Sequence, residues 1–156
     1  DKIKIKFFKN KEKFYNILIL LFIFQVCFVM VKNHPYQNVF FNFVAGKNVK
    51  KNFEIDYWGL SNKQALELIL KNDKRNLIKI GSAGPISLNN SMKILSKKSR
   101  DRLIVSQNID ADYIINNYID WHGKYKKKRY IIPDNFTIYS EISTHKTVIN
   151  TIYKKN

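Results

Sequence analysis

Cysteine is nearly absent: Cys27 stands alone among 156 residues. One thiol excludes an internal disulfide framework. Its place inside an apolar run makes it an inert small hydrophobe. Histidine is almost as scarce, and His34, His122 and His145 are too widely spaced for a metal-ligand pattern. There is no CxxC, no HExxH and no GxSxG nucleophile elbow. Acidic residues are few as well, 12 Asp+Glu against 28 Lys+Arg, which leaves a net charge of +16. That imbalance invites a nucleic-acid reading. Two features argue against a nucleic-acid partner. Lys, Asn and Ile are used heavily along the whole chain, as in an AT-rich genome, instead of forming one basic patch. The chain also carries a helix of membrane type.

That helix is Phe14–Val31, where charge is missing altogether: no charged residue lies between Lys13 and Lys32. At about 1.5 Å per residue the stretch reaches roughly 27 Å, close to the hydrocarbon thickness of a bilayer. Thirteen of its 18 residues are Leu, Ile, Phe or Val. At roughly −0.3 to −0.6 kcal/mol each these favour insertion by about 4–8 kcal/mol, an upper bound because the scale applies at the helix centre. Asn16 and Gln25 do not cancel that gain. A core helix of this length would show a polar face. A signal peptide would have a shorter apolar region and a small-residue cleavage site, whereas this run leaves through Val29-Met30-Val31-Lys32. The sequence therefore predicts one transmembrane helix over 14–32.

Residues 1–13 carry six lysines, whereas Lys32–Gly46 contains only Lys32. The positive-inside rule places 1–13 in the cytoplasm and the remainder on the periplasmic or extracytoplasmic side of the cell membrane. Residues 33–52 form a juxtamembrane segment. Pro35 discourages helix continuation past His34, and Tyr36, Phe40, Phe41 and Phe43 suit the membrane–water interface. Membrane lipid is thus the first expected partner. Because the chain begins at Asp1, not Met, it is expected to be a piece of something longer.

Residues 53–156 predict a small α/β domain with a mixed sheet. Phe53, Ile55 and Tyr57 alternate with Glu54 and Asp56, a strand pattern ended by Gly59. Ser61–Gln64 fits a capping box opening a helix through Leu70. Leu77–Ile80 reads as a strand, followed by a Gly-rich turn, Gly81–Pro85, that lacks the ending of a phosphate loop. A helix over Ile86–Ser96, strands at Leu103–Ser106 and Tyr113–Asn117, and a closing hairpin of Phe136–Ser143 with Thr147–Tyr153 complete the domain. Lys124, Lys126, Lys127, Lys128 and Arg129, interleaved with Trp121, Tyr125 and Tyr130, read as a solvated loop, with binding of an anionic headgroup or phosphate as the alternative. Asn89 and Asn135 open chance glycosylation sequons.

Three groups of residues then form an ordered series: His34-Pro35-Tyr36-Gln37, Phe41-Asn42, and Phe53-Glu54-Ile55-Asp56-Tyr57-Trp58-Gly59-Leu60-Ser61 with Ala65-Leu66. This series resembles the C-terminal end of bacterial polytopic membrane glycosyltransferases of the GT-C superfamily, related to the dolichyl-phosphate-mannose–protein mannosyltransferases. The matching motifs cover about residues 34–66. The resemblance implies sugar transfer from a polyprenyl-phosphate donor to an acceptor on the outer membrane face, with an inverting mechanism. Its catalytic carboxylate would lie after the first transmembrane helix of the longer protein, so this stretch alone is expected to be inactive. No catalytic residue, metal ligand or cofactor is assigned here. The substrate-binding candidates are Tyr57 and Trp58, whose rings suit stacking on sugars, with Asp56, His34 and Gln37. The structural alternative has Trp58 packing the helix on the sheet and Asp56 bonding backbone in the turn. The competing function is a single-pass, membrane-anchored α/β binding or assembly protein without catalysis.

Overall fold

A computed structural model describes residues 11–39, 49, 53–119, 130–144 and 147–156. The chain divides into two units, Asp1–Gln37 and Asn38–Asn156. The first holds α1 (Lys11–Lys32), a 22-residue helix with no buried residue. Apolar side chains cover it on all sides, so it is long and apolar enough to cross a membrane.

The second unit is an α/β domain. Its elements are α2 (Ser61–Asn72), β1 (Ile78–Ser82), α3 (Leu88–Met92), α4 (Lys97–Arg100), β2 (Leu103–Val105), β3 (Tyr113–Asn116), β4 (Phe136–Thr144) and β5 (Thr147–Lys155). The strands form a mixed sheet in the order β2-β1-β3-β5-β4. β2, β1 and β3 run parallel, while β5 is antiparallel to both β3 and β4. The period-2 pattern puts different residues on each sheet face. Ile78, Ile80, Ile115 and Ile152 share one face, following the register Ile80↔Tyr113 and Ile115↔Ile152. Ala65, Leu66, Ile69 and Leu70 make the buried stripe of α2. Ile114 and Phe136 pack with Ala111 on the other face.

Parallel neighbours normally need a connection of about a dozen residues. The link from β2 to β3 has only the seven residues 106–112, and it must pass over β1. It crosses at Gly81. A Cβ there would collide with the Asn108 side chain and lie 3.2 Å from Ala111 Cβ. Glycine at 81 is thus set by this close crossing, not by a ligand.

The structure revises three local expectations. Residues 53–57 are not a strand; residues 55–58 form a turn. The predicted helix over Ile86–Ser96 shrinks to α3, Leu88–Met92, and a separate short helix, α4, begins only after Ser96. Ser87 and Ser96 explain the split, because each side chain accepts a hydrogen bond from the backbone N–H three residues on and starts its own helix. Finally, Ser61 and Gln64 do not form a capping box, since Ser61 lies inside α2. The basic loop with Trp121, His122 and Lys124–Arg129, the rings of Phe40, Phe41 and Phe43, and the hairpin tip at His145-Lys146 lie outside the described residues.

Candidate functional site

The turn before α2 is built on Asp56. Its carboxylate accepts hydrogen bonds from the backbone N–H groups of Leu60 at 3.0 Å and Ser61 at 3.1 Å. It also accepts from Ser61 Oγ and, at 2.8 Å, from Asn117 Nδ2 beyond the end of β3. The first N–H groups of a helix have no partner within it, and the helix dipole favours an acceptor there. Asp56 supplies that acceptor from five residues upstream. Gly59 makes the turn possible: its φ of +65° is left-handed backbone that glycine adopts without strain.

The network continues into the domain. Asn150 Nδ2 on β5 donates to Ser61 Oγ at 2.8 Å and to Asn62 Oδ1 at 3.2 Å. Asn62 Nδ2 donates to Ser91 Oγ on α3 at 3.1 Å. Asp56, Ser61, Asn62 and Asn150 are all fully buried. Buried polar groups joined this way fix one arrangement, because breaking any link leaves a desolvated donor or acceptor unpaired.

On this frame Tyr57 and Trp58 point outward. Tyr57 is 45 % exposed and Trp58 71 % exposed. Their rings pack edge to face, with centroids 4.9 Å apart and an interplanar angle of 89°. The structural alternative is therefore split: Asp56 does bond the backbone of its turn, but Trp58 does not pack the helix on the sheet. Large exposed rings held on a rigid turn offer an aromatic face to a ligand. His34 and Gln37 lie in the other unit, where Gln37 Nε2 donates to His34 Nδ1 at 3.1 Å. The structure thus groups Asp56, Tyr57 and Trp58 in one turn and pairs His34 with Gln37. Among the described residues no group of three or more His, Cys, Asp or Glu could hold a metal.

Sequence reasoning missed Asn62, Ser91, Asn117 and Asn150. Asparagine and serine recur all along this chain, so none of the four carries a local signal; only spatial convergence marks them.

A second cluster lies beyond the end of α2. Arg75 pairs with Asp73 at 2.7 Å and with Asp112 at 3.0 Å. Tyr113 Oη donates to Asp73 at 3.2 Å, and Lys154 Nζ sits 5.9 and 5.7 Å from the ring centres of Tyr113 and Tyr139. Arg102 donates to the carbonyls of Leu70 and Asp73 at the close of α2. The Arg75 hydrogen bond holds the Asp73 carboxyl well below the usual range, at about 2. Burial, with Asp73 beside it, pushes the Tyr113 phenol up to about 12.

These shifts fix the sign of two pH effects. A depressed carboxyl stabilises the fold above its unfolded value of 3.8, and that stability is lost as pH falls towards about 2. A raised phenol stabilises the fold below its ordinary 10.0, and that stability is lost as pH climbs towards about 12. Denaturant midpoints should therefore fall on both flanks. Asp73→Asn should flatten the acid limb measured between these two carboxyl values; an unchanged acid limb would show that Asp73 is not responsible for it.

A cleft of mixed polar and apolar lining opens where β1 and β2 end, between residues 82–89 and 105–110. No family model, no curated protein and no solved structure matches this chain.

Proposed function

We propose that α1 spans a cell membrane with its lysine-rich N-terminal side in the cytoplasm. On this reading the α/β domain stands on the extracytoplasmic face as the C-terminal part of a glycosyltransferase. That enzyme moves a sugar from a polyprenyl-phosphate donor to an acceptor at the membrane surface. The observation that carries the reading is the turn at 55–61. The residues of the Asp-Tyr-Trp-Gly-Leu-Ser motif divide there into two jobs. Asp56, Gly59 and Ser61 build a rigid buried frame, and Tyr57 and Trp58 stand exposed on it. A motif that orders its own aromatic pair towards solvent suits a sugar-stacking role. The transferring carboxylate belongs to another part of the longer protein, so this chain supplies contacts and orientation, not the chemical step.

The test is sugar transfer by the longer protein with Tyr57→Ala and Trp58→Ala. Each ring is expected to contribute about 1–2 kcal/mol of binding, a fall of roughly 5- to 30-fold in kcat/KM, with the melting of the domain unchanged. Undiminished transfer by a folded double variant would remove Tyr57 and Trp58 from the sugar site, and a longer protein that transfers no sugar at all would favour the anchored binding or assembly module.

A further inference from the structure

Two clefts of about 640 Å³ open on the α/β domain. In the one beside Arg75 the arginine is already committed to Asp73 and Asp112. The other, at the carboxyl ends of β1 and β2, has no role in the reading above. We propose that it binds a neutral saccharide unit. The inference goes beyond the aromatic turn and holds whether or not the longer protein transfers sugar.

The cleft is well placed for a ligand. Ligands of open α/β sheets bind outside the carboxyl ends of parallel strands, and the volume lies within the roughly 300–1,000 Å³ of small-molecule sites. Its walls are also rigid. Ser82 Oγ donates to the Gly84 carbonyl at 2.9 Å and accepts from its N–H at 3.2 Å, which fixes one wall. Asn108, 4 % exposed, lies over Gly81 and donates to the Ile131 carbonyl at 3.0 Å, which fixes the other.

The lining chemistry selects the ligand. Asn89, Gln107 and Asp110 stand exposed on the rim, and their side chains have no hydrogen-bond partner among the described residues. Two amides and a carboxylate offer the paired donors and acceptors that vicinal hydroxyls require. Pro85, Ile86 and Tyr130 add apolar surface for the C–H face of a sugar ring. Although the chain has 28 Lys+Arg, no described lining residue is Lys or Arg, and Asp110 is the only charged one. Asp110 on the rim opposes an anionic ligand, a cost that a neutral polyol does not meet. The cleft also adjoins the motif turn, since a Cβ at Gly59 would come within 2.7 Å of Ile86 Cγ2.

The test uses the whole chain in phosphatidylcholine nanodiscs, which carry no sugar detergent. Saturation-transfer NMR is run with the methyl pyranosides of glucose, galactose and mannose, and inorganic phosphate serves as competitor. At least one glycoside should receive saturation on its ring protons, undisturbed by phosphate. Gln107→Ala/Asp110→Ala on one wall, and Asn89→Ala on the other, should each weaken that binding by about tenfold or more. All three side chains are exposed, so the melting temperature should hold. The proposal is overturned if no glycoside receives saturation, if phosphate displaces it, or if binding survives the wall variants. A signal that survives them and vanishes in Trp58→Ala would assign binding to the aromatic turn and likewise overturn the cleft.

Discussion

Asp56→Ala is expected to destabilise the α/β domain by about 3–5 kcal/mol, because each buried donor left unpaired costs about 1–3 kcal/mol and several are stranded at once. The carboxylate is fully buried and serves four donors: two backbone N–H groups, the Ser61 hydroxyl and the Asn117 amide. Truncation leaves all four facing a cavity, and the first turn of α2 loses its acceptor. Small domains hold only about 5–15 kcal/mol in total, so the loss is a large share of their stability. Asp56→Asn should cost less. Its amide oxygen still accepts, but its NH₂ presents hydrogen to groups that themselves donate. The measurement is denaturant unfolding of the two variants. Equal, small losses would mean that Asp56 is not what holds the turn to the sheet.

The second large effect concerns α1. Leu21 and Phe24 are 57 % and 70 % exposed on a helix with no buried residue. Arginine near a helix centre opposes insertion by about 2.5–3.5 kcal/mol on the insertion scale, so Leu21→Arg with Phe24→Arg opposes it by roughly 5–7 kcal/mol. That cancels most of the 4–8 kcal/mol or so that the apolar residues contribute. The unaltered chain should stay with the membrane pellet after alkaline carbonate extraction, and the double variant should leave it. If the unaltered chain were released into the aqueous phase, the membrane-spanning reading of α1 would fail, and the sugar-transfer proposal with it.

Legibility in the sequence followed the range of the interactions involved. Leu77–Ile80, Tyr113–Asn117 and the closing hairpin match β1, β3, β4 and β5 to within a few residues, because Ile- and Tyr-rich runs between polar breaks declare themselves locally. The alternation from Phe53 to Tyr57 gave a false strand. Its pattern is right, but Asp56 finds better partners in the N–H groups of α2 than a strand would give it, and the chain turns to reach them. The helix expected over Ile86–Ser96 failed for a related reason: a stretch rich in Ser and Asn satisfies its backbone locally and restarts. Tyr57 and Trp58 are candidates in the sequence because aromatic rings suit sugar stacking and lie in the motif that carries the resemblance. Their exposure, which gives the choice its force, could not be read from residue type.

The amino-acid order alone determined the uncharged helix, the lysine imbalance across it and the α/β character of residues 53–156. Each is written in neighbouring residues and depends on spacing within one element. Tertiary structure decided which acceptor completes α2 and why position 81 admits no side chain. Those outcomes depend on residues far apart in the chain, such as Asp56 with Asn117 and Ser61 with Asn150, 61 and 89 positions apart. Such pairs leave no periodic trace, because the free energy that selects them arises only when the sheet has assembled and shut out water.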